Sequence, residues 1–422
     1  MRLIPLAGRL AIASMLAPAA ALADVADEAL TGDWNGTRTR LADRGVSFSF
    51  NYTAEAARNY SGGDRLRNRI SGQLGLLADV DLNKLYGLRD AELRLAITHR
   101  AGRNLSDDTH MGVLQQVQEV YGRGQTWRLT QLWFRQSYFD QTLSVKFGRV
   151  TVGEDFAAFD CAFQNLTFCG SQPGNLVGNY WYNWPVSQWG LVLTAKTSAS
   201  TYLKLGGYQV NPAYLQNRNA LKINNPAGTT GALIPLEFGI KPVFGEERDG
   251  SYKFGAWYDT SRHNDVYADA HGESQALSGL PFGRRHGAHG GYVNFEQQVS
   301  TNLRLFLNAT QADRRTSTTD RQLAIGGSWG APFASRPLDD IGFAVGSTHV
   351  NSRVIGRQRQ LNGLLPMHAP VGGYERVAEL YYTYRPTGWL MLRPNLQYIK
   401  HPGGSSRNDN ATVLGLKFNV AI

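Results

Sequence analysis

Ionised side chains of both signs recur at alternate positions in this chain, inside segments that otherwise read as apolar strands. Glu92 and Arg94 share one face of a run whose other face is Ala91, Leu93, Leu95 and Ile97. Glu55, Arg135, Lys146, Glu296, Arg304, Glu379 and Arg393 take the polar face of their own segments. Carboxylates accept hydrogen bonds, and lysine and arginine donate them; the arginine fork stays charged and reads two oxygens at once. On a strand, i and i+2 lie side by side, so Glu92 is expected to hold Arg94 in place. The bland alternative for each residue is a charge solvated by water and paired across strands.

Catalytic constellations are not apparent. The sequence contains no HExxH, GxSxG or Walker-type pattern. Glu154 and Asp155 are adjacent, whereas glycoside hydrolysis needs two acids set across a bond. Of nine histidines, His263, His271, His286 and His289 fall in one Gly-rich region without metal-ligand spacing. The reading is a non-enzyme with no cofactor and no metal.

A second concentration of chemistry lies in residues 154–188. Phe156, Phe159, Phe163, Phe168, Tyr180, Trp181, Tyr182 and Trp184 are too many aromatics for a water-washed loop, and Glu154, Asp155 and Asp160 stand beside them. The only two cysteines, Cys161 and Cys169, fall here too. In an exported, oxidising compartment they are expected to pair; two free thiols are the alternative.

The elements that must position these residues follow from the whole chain. It has 422 residues, with 46 Gly, 19 Tyr and 9 Trp, and 18% charged residues. Abundant aromatics exclude disorder, and two cysteines exclude a disulfide scaffold. Arg2 and Arg9, the apolar run Leu10 to Leu22 and Ala21-Leu22-Ala23 read as a secretory signal over 1–23. Without Arg2 and Arg9 the net charge falls from +9 to +7. No Lys/Arg block suggests nucleic acid. Beyond the signal there is no apolar run of about 20 residues, so helical spans are excluded.

Two-residue periodicity dominates the rest. Val46, Phe48, Phe50 and Tyr52 face away from Ser47, Ser49, Asn51 and Thr53. Similar runs begin near 70, 89, 126, 143, 189, 201, 236, 251, 290, 302, 321, 341, 374, 389 and 411. Segments of about ten residues with apolar-out, polar-in alternation are the mark of a transmembrane barrel. Aromatics at segment ends (Tyr138, Phe139, Trp189, Trp257, Tyr258, Tyr381 to Tyr384, Trp389, Tyr398) fit interfacial girdles. Unpaired edges cannot be left in lipid, so the chain must close. About sixteen strands leave a lumen wide enough for water. Residues 24–45 are expected to form a periplasmic segment, with a short helix over about 35–44 capped by Asp33 and ended by Gly45. The barrel then occupies 46–422, with long loops over 100–125, 154–188, 211–235, 262–288 and 351–373. The loop 154–188 is expected to fold into the lumen, because its aromatics want burial.

With these residues in view, the sequence resembles the OprB-type carbohydrate-selective porins. The resemblance rests on Leu30-Thr-Gly-Asp-Trp34 with Arg38, Leu41, Arg44 and Gly45. Val145 through Gly148-Arg149 to Glu154-Asp155-Phe156 is similar to the family's entry into a long inner loop. Phe168-Cys-Gly-Ser171, Asn183 to Gly190, Glu379-Leu-Tyr-Tyr382, Arg393 to Ile399, His401-Pro-Gly-Gly404 and Val413 to Leu416 follow in order. One departure is the last residue, Ile422, where such barrels usually end in Phe. The resemblance implies an outer-membrane location and diffusion of small sugars such as glucose. Outer-membrane lipid and lipopolysaccharide would surround the wall, and monomer and homotrimer are both open. A sugar path needs convergent donors and acceptors, with aromatic faces for C–H surfaces and weak binding at several stations. Glu55, Glu92, Arg94, Arg135, Lys146, Glu154, Asp155, Asp160, Trp181, Trp184, Glu296, Arg304, Glu379 and Arg393 are the residues expected to line it. A non-selective pore and a non-transporting structural or adhesive barrel are the rival readings.

Overall fold

A computed structural model describes residues 28–245, 248–365 and 369–422. The signal reading for 1–23 lies outside these residues. The strands are β1 (Val46–Ser61), β2 (Asn68–Asp81), β3 (Ala91–Gly102), β4 (Trp127–Tyr138), β5 (Leu143–Val150), β6 (Gln188–Lys196), β7 (Thr201–Val210), β8 (Gly231–Ile240), β9 (Val243–Phe244), β10 (Arg248–Asp269), β11 (Phe282–Gln298), β12 (Leu303–Ala312), β13 (Thr319–Gly330), β14 (Asp340–Val350), β15 (Tyr374–Thr383), β16 (Leu390–Lys400) and β17 (Ala411–Ala421). Each pairs antiparallel with its neighbours, and β1 closes against β17. The two-residue β9 only folds back on β10, so sixteen strands make the wall.

Alternation decides which face each side chain takes. Leu191, Leu203, Leu205, Leu236, Phe254, Leu305, Leu323, Ile325, Phe343, Leu380, Leu396, Leu414 and Leu416 are exposed on the outside, where lipid covers them. The hydrophobic core lies within the barrel, where inward-facing Trp133, Tyr208, Leu233, Trp257, Tyr292 and Tyr381 pack against aromatics of the inner loop. Trp257 and Tyr381 therefore do not belong to the interfacial girdle, because their register points them inward. Tyr138, Phe139, Trp189, Tyr258, Tyr384 and Tyr398 are exposed as a girdle requires.

Connections alternate between short and long. At one end Phe139 to Gln141 turn the chain with three successive positive φ values, 54, 52 and 63°. Barrels of this type carry such short turns on the periplasmic side. At that end the helix forms over Thr37–Asp43, and the Asp33 carboxylate accepts from the Thr39 amide at 2.9 Å. The segment braces the seam: the Leu30 amide donates to the Ala421 carbonyl, and Arg38 Nη2 donates to the Ile422 carbonyl at 2.9 Å. The Ile422 amide itself donates to the Phe50 carbonyl, so the ladder runs to the last residue.

At the other end two expectations change. The region 262–288 is mostly strand, since β10 and β11 continue past the wall as a paired hairpin and leave 270–281 as connection. The region 351–373 contains a helix, Ser352–Leu364, with the Asn351 side chain accepting from the Arg353 amide. Both the 103–126 and the 151–187 connections fold inward, as expected for the second.

Candidate functional site

The inner loop is held by wall charges that accept from or donate to its backbone. Glu379 on β15 accepts from the amides of Gln164 and Asn165, both at 2.8 Å. Glu375, two steps up the same face, accepts from Leu114, Gln115 and Gly403. Glu55 on β1 accepts from Val120 at 3.1 Å and pairs with Lys417 at 3.2 Å. Lys417 also donates to the carbonyls of Cys161 and Phe163. Arg393 donates to the Ala162 carbonyl at 2.5 Å and lies 4.4 Å over the Tyr381 ring. On the far wall Glu237 accepts from Ala157 at 3.0 Å and from the hydroxyls of Tyr202 and Tyr292. Asp155 is gripped by Lys146 and by the Tyr208 hydroxyl. These groups are buried, and all but the side-chain contacts of Asp155 satisfy backbone that a loop inside a barrel would otherwise leave without partners.

The loop between the anchors is dense. Trp181 is fully buried, edge-on to Trp257 at 5.4 Å and to Tyr292 at 6.1 Å. Phe163 packs on Phe168, Phe306 and Tyr381. Cys161 and Cys169 form a disulfide, as expected.

Open chemistry lies on β2 to β5, below the start of this loop. Cross-strand register sets Asp79, Arg94, Trp133 and Gly148 in one row, and Glu92, Arg135 and Lys146 in the next. Arg94 donates to both Asp79 oxygens, at 2.5 and 3.1 Å. Glu92 pairs with Arg135 across strands. Glu92 therefore does not hold Arg94, because the cross-strand neighbour is the better partner for each. The Trp133 ring is ringed by cations: Arg94, Arg135 and Lys146 stand 5.3, 5.6 and 5.2 Å from its centroid. Gly148 permits this close row. Its φ is +138°, and a Cβ there would lie 2.3 Å from the Leu132 carbonyl oxygen and 3.1 Å from Trp133 Cβ. Glu154 hangs over the row from the loop; burial and then the adjacent Asp155 push its carboxyl up, against the pull of Lys146 and Arg94. The Trp133 ring lies buried beneath these cations, and its indole N–H has no partner among the described residues.

The expected site residues thus separate. Arg94, Glu92, Arg135, Lys146 and Glu154 come together around Trp133. Glu55, Glu379, Arg393 and Asp155 are buried among the anchors, and Trp181 is core. These five do not present free donors or acceptors to the lumen, because loop backbone or packing has already taken them. Trp184 is half-buried and donates to Gln73 Oε1 at 3.0 Å. Asp160 is exposed on the loop. Arg304 pairs with Asp249 at 2.7 Å near the short-turn rim, and Glu296 lies one strand away. His263 and His289 turn to Asp259 and Asp313 respectively. Trp133, Asp79, Glu237 and Lys417 were not singled out. Trp133 had a signal: it lies two residues before Arg135, so it shares that residue's inward row. A bulge where β3 pairs β4 hid it, since Arg128 and Thr130 face inward above the shift and Gln131, Trp133 and Arg135 below it.

Comparison with known proteins points the same way. The family model described as carbohydrate-selective porin, OprB family, matches residues 68–421. The chain is 44% identical over 412 residues to Porin B of Pseudomonas aeruginosa, covering 93% of this chain and 90% of that protein. It is 34% identical over 420 residues to the putative porin QuiX of Acinetobacter baylyi, covering 93% and 92%. The high-pH structure of Pseudomonas putida OprB matches with a TM-score of 0.92 at 44% identity, covering 96% of this chain and all of that one.

Proposed function

The chain belongs to the OprB family of carbohydrate-selective porins, and from that premise we propose that the Trp133 row is where the channel reads a monosaccharide such as glucose. The protein is an outer-membrane barrel through which carbohydrates diffuse. The observation that carries the finer reading is a row of ion pairs still partly open to water, Arg94–Asp79 and Arg135–Glu92, held around a buried aromatic ring. A pyranose offers an apolar C–H face and an equator of hydroxyls. Trp133 lies beneath, too buried to stack on the first, and its ring positions the cations. Arg94, Arg135 and Lys146 donate to the second, and Asp79, Glu92 and Glu154 accept from it. Because Arg94, Arg135 and Lys146 already have carboxylate partners, a neutral solute displaces water without stripping a naked ion, and a net charge gains less. Binding stays weak, as passage requires.

Single-channel conductance of the purified protein with glucose titrated in tests this. Wild type should show a saturable block. Trp133→Ala should weaken it about fivefold, since a cation–π contact that holds a donor in place contributes roughly 1 kcal/mol. A wild-type current that falls only with bulk viscosity would mean a non-selective pore. A block unchanged by Trp133→Ala would move recognition elsewhere in the lumen.

A further inference from the structure

On β15, β16 and β1 the ionised side chains of the outward rows stand at the long-loop end, and they have one sign. On β15 the outward row reads Tyr374, Arg376, Ala378, Leu380; on β16 it reads Leu396, Tyr398, Lys400; on β1 it reads Tyr52, Ala54, Ala56, Arg58, Tyr60. Arg376 and Lys400 are directly opposed in the ladder. Arg58 opposes Leu414, whose own row continues through Leu396 to Leu380. Strands of such barrels tilt by about 40°, so a hydrogen-bonded row climbs as it is followed from β15 to β1. At the other end the row through Ala421, which closes β17, meets Asn51, well above the first residue of β1. That climb raises Arg58 above its row partners to the level of Arg376 and Lys400. A tyrosine stands two residues from each cation on the same outward row, and Tyr60, Tyr374 and Tyr398 are all exposed. This is girdle height, where lipid headgroups begin.

Like charges directly opposed on neighbouring strands destabilise a sheet, and nothing in the protein relieves these. No carboxylate among the described residues pairs with Arg58, Arg376 or Lys400. The acids of these strands, Glu55, Glu375 and Glu379, are buried on the opposite face. Arg58 has only the Tyr60 ring, 5.3 Å away. The adjacent strands show the contrast. Arg321 on β13 lies against His349 at 3.2 Å, and His349 bonds Asp320 at 2.6 Å, so that outward pair is internally satisfied.

We infer that Arg376, Lys400 and Arg58 form a site for the phosphate groups of a phosphorylated glycolipid in the outer leaflet, lipopolysaccharide, docked across the seam where the barrel closes. Phosphate answers three cations without a counter-charge and bridges the opposed pair. The interleaved tyrosines offer faces to the sugars that carry it. A second copy of this chain is a poor occupant, since it would bring the same cations to a two-fold contact.

The test uses the full-length protein in detergent, with lipid adducts counted by native mass spectrometry. Wild type should carry added lipid A, and lipid A stripped of both phosphates should fail to compete. The combined Arg58→Gln, Arg376→Gln and Lys400→Gln variant should lose affinity about a hundredfold, roughly fivefold for each cation beside an anionic lipid surface. Its glucose block of conductance should match wild type, which shows that the barrel is intact. If that variant does not assemble, the competition on wild type decides alone. Equal binding of dephosphorylated lipid A overturns the proposal, as does unchanged retention in the variant. Phosphatidylglycerol binding as tightly as lipid A overturns the glycolipid assignment, and a dimer that buries this face overturns the site.

Discussion

On β15, β16, β17 and β1 the lumenal charges are closed over by loop; on β2 to β4 Asp79, Glu92, Arg94 and Arg135 stay partly open to channel water. The residue types are the same, and so is their placement on the inward row of a strand. What differs is the partner. Glu379 spends both oxygens on backbone amides of residues more than two hundred positions away in sequence. Asp79 and Glu92 spend theirs on arginines one strand away. A carboxylate given to buried backbone fixes a shape, because leaving those amides unpaired is costly. A carboxylate given to a half-exposed guanidinium keeps lone pairs that a passing hydroxyl can use. On the function proposed above, one wall sets the width of the channel and the other sets its chemistry.

The largest effect that could break this comparison lies on the anchoring wall. Glu379→Ala removes the acceptor from two buried amides, each worth about 1–3 kcal/mol when left unsatisfied. The loop should leave its seat, while the barrel, held by its own ladder, survives. Single-channel conductance should rise severalfold and residues 154–188 should become sensitive to protease in the assembled protein. Unchanged conductance and protection would mean that packing of Phe163 and Trp181 alone seats the loop.

On the open wall the change should be smaller and of another kind. Arg94→Ala takes a donor from the sugar path and leaves Asp79 without its partner. Glucose block should weaken by about 1 kcal/mol, a fraction of the ~1.5–3 kcal/mol of a charged hydrogen bond because water competes. Permeability should shift toward cations, and open conductance should move little. A large rise in conductance would show that Arg94 also holds the loop and would dissolve the distinction between the walls.

The sequence carried the wall and hid the division within it. Alternation in β1, β12 and β17 is enough to assign inside and outside, because a strand's period is two and lipid demands an unbroken apolar face. The aromatics of 154–188 announced burial, since eight rings cannot all stay in water. Which wall residue a loop will reach is a different matter. Glu379 and Glu92 look alike along the chain; only the folded path of 151–187 brings amides to the first and leaves the second open. Trp133 was hidden by the bulge in the β3–β4 ladder, which shifts the inward set of β4 by one residue partway along.

The disulfide should matter less than either wall. Closing an eight-residue separation restrains the unfolded loop by roughly 2–3 kcal/mol in the chain-entropy account. Yet the residues it encloses are already held by Arg393 at Ala162, Lys417 at Phe163 and Glu379 at Gln164 and Asn165. Changing Cys161 and Cys169 both to Ser should raise open-channel noise while leaving mean conductance and glucose block near wild type. A conductance change as large as that of Glu379→Ala would place the disulfide among the anchors.

The smallest effect expected is that of Arg304→Ala, and it is the sharpest check on position as opposed to residue type. Arg304 is an inward arginine with a carboxylate partner, like Arg94. Its pair with Asp249 is half-exposed on both sides, near the short-turn rim. Exposed ion pairs contribute about 0–1 kcal/mol, and a solute crossing the wide mouth need not approach within hydrogen-bond distance of one wall. Glucose block and ion selectivity should both stay within about twofold of wild type, a difference of ~0.4 kcal/mol. If Arg304→Ala weakened block as much as Arg94→Ala, sugar would be read by charge distributed along the whole lumen. The Trp133 row would then be one station among several, with no special standing from its indole ring.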